Sequence, residues 1–132
     1  MAMSTADLHQ NVPFSATLGL EMIDPDPAAL QLRLPHREAV CRSGGMLHGG
    51  ALMSLADVAG AVCASLNAPE GSDTATVDST THFLRPVPSA AIATATPLHV
   101  GRTLSVVSVE IRGEHNDRVL VRVTQTLVVR AR

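Results

Sequence analysis

The chain has 132 residues, 45% hydrophobic and 17% charged, with a formal net charge of −2. Those values describe a globular chain able to bury a core, read here as a single domain over 1–132, and they exclude a disordered segment or a polybasic nucleic-acid or membrane-surface binder. All ten basic residues are Arg, and the two cysteines, Cys41 and Cys63, have neither metal-ligand nor redox spacing. A reducing cytoplasm is the expected setting, with no signal peptide and no membrane-spanning run.

Residues 1–11 are polar, with a frayed helical turn expected near 7–10. After Pro13, residues 18–23 read as a first strand, and Asp24-Pro25-Asp26-Pro27 as a turn. Leu30, Leu32 and Leu34 alternate with polar residues and predict a second strand, paired with the first as a hairpin. Residues 35–45 form a loop into a long helix over about 45–66, which ends near Asn67, Pro69 and Gly71. From Thr74 the period changes to two. Strands are expected over 74–84, 90–100 and 104–113, and a last one follows the turn His115-Asn116-Asp117. In that last strand Val119, Val121 and Val123 share one face, and Arg122, Thr124 and Thr126 the other.

The layout is α+β: one long central helix wrapped by a curved antiparallel sheet of about five to six strands. Leu52, Leu55, Ala59, Val62 and Leu66 line one helical face, and Ala51, Met53, Val58 and Ala61 leave the other faces apolar too. A helix of that kind is expected to be buried all round, which one sheet cannot achieve. A second copy is therefore expected to cover the remainder, giving a homo-oligomer. Asp57 is the only charged residue between Gly45 and Leu66, and a buried carboxylate needs a reason.

Gly45-x-x-His48-Gly49-Gly50, followed nine positions after the His by Asp57, resembles the hotdog-fold acyl-CoA thioesterases of the phenylacetic-acid-degradation (PaaI-like) type. Leu18-Gly19-Leu20-Glu21, Thr76-Val77-Asp78, Phe83-Leu84-Arg85-Pro86 and Val100-Gly101-Arg102-Thr103 extend the likeness over most of the chain. The resemblance implies a hotdog dimer or dimer of dimers and hydrolysis of an acyl group carried on coenzyme A. Coenzyme A is then part of the substrate, and no cofactor is expected. It also implies that Asp57 carries the chemistry and that the Gly49 amide polarises the thioester carbonyl. Thr76 matches a position where the family often has a hydroxyl near the attacking water. Arg42 departs from the family, which commonly has an Asn there, six positions before the His.

Glycines at a helix start leave N–H groups open to an oxyanion, and the helix dipole favours negative charge there. Gly49 and Asp57 are eight residues apart, about 12 Å along a helix. A reacting carbon must lie about 3 Å from both groups, so Gly49 of one chain is expected to work with Asp57 of another. His48 reads first as a packing or orienting residue, and contact with the carbonyl is the lesser reading. Arg85 and Arg102 are candidates for the coenzyme A phosphates. No histidine pair has metal spacing, so no metal site is expected. Two other readings stay open: a non-catalytic acyl-CoA-binding hotdog module, and a hotdog hydratase or dehydratase. The latter lacks the His expected a few residues after Asp57.

Overall fold

A computed structural model describes residues 2–131. The N-terminal stretch holds more helix than its polarity suggests. Helix α1 (Thr5–Asn11) starts at a capping box in which Ser4 and Asp7 satisfy each other's backbone N–H groups, and Leu8 reaches the core. Helix α2 (Pro13–Leu18) begins on a proline, whose missing N–H costs nothing at that position, and stops at Gly19 with φ 74°. The strand expected over 18–23 is thus shortened to β1 (Glu21–Asp24), because Leu18 closes a helix and Gly19 turns out of it.

Strand β2 (Leu30–Leu34) pairs antiparallel with β1 as expected. The turn between them is held by the Asp24 and Asp26 carboxylates, which accept the Asp26 and Ala28 N–H groups. A single 3-10 turn at Glu38–Val40 precedes helix α3 (Gly49–Asn67). Four strands follow: β3 (Ser72–Phe83), β4 (Ala91–Val100), β5 (Leu104–Gly113) and β6 (Val119–Ala131). They join β1 and β2 in one antiparallel sheet of order β1-β2-β4-β5-β6-β3. This is the hotdog fold.

Leu30, Leu32 and Leu34 on β2, Val107, Val109 and Ile111 on β5, and Val121, Val123, Leu127 and Val129 on β6 form the inner face of the sheet. Strand β4 contributes only Ala91, Ala93 and Ala95. Those three methyls let the helix lie close, with Ala56, Ala59, Gly60 and Cys63 turned inward. Among the described residues α3 is the one helix long and apolar enough to cross a membrane by length and composition, and here it is the core helix of the sheet.

Strand β3 carries a bulge at Val77, where its pairing with β6 shifts between Thr76 and Asp78. Strict alternation would put Thr76 and Phe83, seven apart, on opposite faces. The bulge reverses the phase, so Thr76 and Phe83 stand opposite Leu127 and Val121 and face the helix together.

Cys63 is fully buried in this core, and burial pushes its thiol up to about 11 from 9.0. The folded state then keeps a proton that the unfolded chain gives up, so stability is complete below pH 9 and falls as pH rises toward 11. The chain has neither Lys nor Tyr to titrate in that range. Urea denaturation is expected to show a loss of up to about 1.4 kcal/mol per pH unit there, and a Cys63→Ala variant should lose most of that slope.

Candidate active site

Asp57 does not sit in a helix covered on every side, as the composition of α3 suggested. The sheet covers one side, and Met53, Asp57 and Ser65 remain exposed along the other, with Ser54 and Ala61 half-buried. Apolar content concealed this stripe, since Met53 and Ala61 count as core residues in any periodicity.

Asp57 and Thr76 come together. The Thr76 hydroxyl donates to Asp57 Oδ1 at 3.0 Å. A third residue completes the group: Gln125 Nε2 donates to the same Asp57 Oδ1 and to Thr76 Oγ1 at 2.8 Å. Gln125 is absent from the residues singled out in the sequence. Its signal was available, because it lies in phase with Val119, Val121 and Val123 and is the one polar residue on that inward face. It is completely buried, and its Oε1 meets no donor. A Cβ placed on Gly60 would lie 1.8 Å from that oxygen, so only glycine leaves room for the Gln125 amide. Glycine in mid-helix costs about 0.5–1 kcal/mol relative to alanine. A cleft of about 310 Å³ lined by Met53, Ser54, Asp57, Thr76 and Ser79 opens on this network.

Gly49 lies in a different cleft. It is the first residue of α3, and its N–H meets no acceptor among the described residues. A cleft of about 320 Å³ beside it is lined by Arg42, Leu52, Phe83, Leu84 and Arg85, among others. The Phe83 ring lies against Gly49, 3.3 Å from where a Cβ would be. His48 is the N-cap of α3: its Nδ1 accepts the Gly50 N–H at 2.8 Å. Arg42 is exposed and bonds the Ser43 carbonyl.

Arg85 and Arg102 are far apart. Arg85 N–H donates to the Leu120 carbonyl at the start of β6, while Thr103, next to Arg102, accepts from Val129 near its end. Nine residues of strand separate them, about 30 Å. Among the described residues no group of three or more His, Cys, Asp or Glu side chains is placed to hold a metal ion.

The fold and these two clefts define a hotdog protein with a carboxylate at mid-helix and a free amide at the helix start. A family model of the thioesterase superfamily matches residues 44–120, and the chain belongs to that family. An esterase-designated protein of Haemophilus influenzae is 33% identical over 100 residues, 75% of this chain and 72% of that one. A solved thioesterase of Haemophilus influenzae superposes with a TM-score of 0.88 at 29% identity, covering 98% of this chain and 92% of the other. A thioesterase-family protein of Silicibacter pomeroyi gives 0.88 at 25% identity, covering 97% and 96%. A phenylacetic acid degradation-related protein of Ralstonia eutropha shares the fold, with a TM-score of 0.80 at 21% identity over 89% of each chain.

The His48 cap can be tested through stability alone. His48→Ala should lower stability by about 1 kcal/mol in urea denaturation, and His48→Asn, a good capping residue, should restore most of it. Equal loss in both variants would contradict the capping role.

Proposed function

We propose that this member of the thioesterase superfamily hydrolyses an aryl or medium-chain acyl thioester of coenzyme A to the free acid and the thiol. The observation that carries the reading is the division of labour along α3. A free N–H sits at its positive end, and a carboxylate with one unoccupied oxygen sits two turns on.

In this reading the thioester carbonyl accepts from the Gly49 N–H, where the helix dipole stabilises the developing oxyanion. The Asp57 carboxylate either attacks the carbonyl carbon, giving a mixed anhydride that water then hydrolyses to the free acid and the restored carboxylate, or takes a proton from water that attacks the carbon directly. In both routes the C–S bond breaks after the first attack, and the thiolate leaves and is protonated. Thr76 keeps the carboxylate in place beside the reacting carbon. His48 acts on the reaction through the shape of the helix start.

The two groups serve one substrate only if they come from different chains, and the exposed surface supports that pairing. Beside the bare stripe of α3 lie Val77, Phe83 and Leu84, each more than half exposed, on or next to the edge strand β3. A second copy laid antiparallel there would cover these side chains and bring Asp57 of one chain to Gly49 of the other. Arg42 and Arg85 flank the Gly49 cleft and are proposed to meet the coenzyme A phosphates. Arg102 would join them only from another copy. A reducing cytoplasm suits the two free thiols.

Turnover is read by thiol release from a panel of acyl-CoA and aryl-CoA substrates. Asp57→Asn should lower kcat by at least about a hundredfold with the fold kept. Gly49→Ala, which also meets the Phe83 ring but keeps the N–H, is the steric control. Gly49→Pro removes the donor, since proline suits the first helical position and His48 at ψ 140° tolerates a following proline. It should cost about 10²–10³ in kcat. Mixing Asp57→Asn with Gly49→Pro should restore roughly a quarter of wild-type turnover if sites are shared in a two-fold dimer. No recovery would contradict the shared site, and a wild-type rate in Asp57→Asn would contradict the function.

A further inference from the structure

Gln125 is a costly feature of the core that stability does not explain. Its amide is fully buried on a face otherwise made of Val and Leu, and its Oε1 meets no donor. Burying an amide with one end unpaired is unfavourable, and so is the mid-helix glycine that makes space for it. Two linked departures from good packing, meeting at one point, mark a functional constraint.

The point where they meet is the Asp57 carboxylate. Gln125 Nε2 has two hydrogens, and the acceptors within reach are Asp57 Oδ1, Thr76 Oγ1 and, at 3.5 Å, the Asp57 backbone carbonyl. Because Thr76 Oγ1 accepts from Gln125, its own hydrogen is directed to Asp57 Oδ1, at 3.0 Å. Oδ1 is thus held by two donors, while Oδ2 receives none among the described residues. The outer torsion of an aspartate is soft and two-fold, and on an exposed stripe nothing else would orient it.

Resting on the hydrolase reading above, we propose that Gln125 is a positioning residue for this reaction. Seated in the gap left by Gly60, it fixes the Thr76 hydroxyl and Asp57 Oδ1 so that Oδ2 is the oxygen presented to the thioester or to the attacking water. Gly60 belongs to the same device. Its bare Cα is what admits the amide, and any side chain there would push Gln125 off the carboxylate. The reacting oxygen is selected from behind, by a group that touches neither substrate nor solvent.

The test is steady-state thiol release, with thermal midpoints measured in parallel. Gln125→Met keeps the length of the side chain and removes both donors and the orphan oxygen. The expected result is a kcat at least about tenfold lower, KM within about twofold, and a midpoint unchanged or raised. Gln125→Glu keeps the shape, replaces the donors by acceptors, and should be slower still. Gly60→Ala disturbs the same amide from the helix side and should reproduce the kcat loss. In an Asp57→Asn background, Gln125→Met should change the residual rate by less than about twofold, since it acts through Asp57. A lowered midpoint with unchanged kcat in Gln125→Met, or a further tenfold loss in the Asp57→Asn background, would overturn the proposal. If wild type hydrolyses, Asp57→Asn does not, and Gln125→Met, Gln125→Glu and Gly60→Ala all keep full kcat, this inference alone fails. A wild type without turnover on any thioester overturns the hydrolase reading and this inference together.

Discussion

The seating of α3 against the inner face of the sheet decides where every reactive group stands. Three alanines on β4 and the small residues of the helix set a close approach. The branched side chains of β2, β5 and β6 fill the space on either side. A rod held this tightly keeps its first amide and its ninth residue at a fixed separation. The chemistry inherits that spacing, and it is too long for one carbonyl to touch both ends.

One polar cluster interrupts this packing where it meets the bare stripe of α3. Thr76, Gln125 and Asp57 form a hydrogen-bonded triangle across the seam between β3, β6 and α3, and each element contributes a local irregularity to it. The bulge at Val77 turns Thr76 inward, Gly60 opens the helix surface, and Gln125 interrupts a run of valines. Any one of these would be a blemish in an ordinary core. Together they deliver a carboxylate with one oxygen engaged and one free, on a helix that otherwise carries no charge.

Most of the architecture was legible from periodicity. The leucine alternation of β2, the valine alternation of β5 and β6 and the small-residue helix each have one dominant spacing, which tertiary packing respected. The N-terminal helix α2 was not legible, because its six residues are too few for a period and its proline reads equally as a turn. The bare stripe of α3 escaped because methionine and alanine carry no sign of which way they face. Gln125 was hidden by the habit of reading a strand as two faces. The apolar face was recognised from its valines, and the glutamine in phase with them passed unremarked. Asp57 and Thr76 were each singled out, yet the contact that joins them needed the fold, since 19 residues and a reversed strand phase separate them.

The central claim is that the Asp57 carboxylate of one chain and the Gly49 amide of another converge on one thioester carbonyl. A crystal structure with a non-hydrolysable coenzyme A thioester analogue tests it most directly. The account predicts the carbonyl carbon about 3–3.5 Å from Asp57 Oδ2 and the carbonyl oxygen within hydrogen-bond distance of Gly49 N–H from a second copy. An analogue whose carbonyl lies away from Asp57, or which meets Gly49 and Asp57 of the same chain, would contradict it.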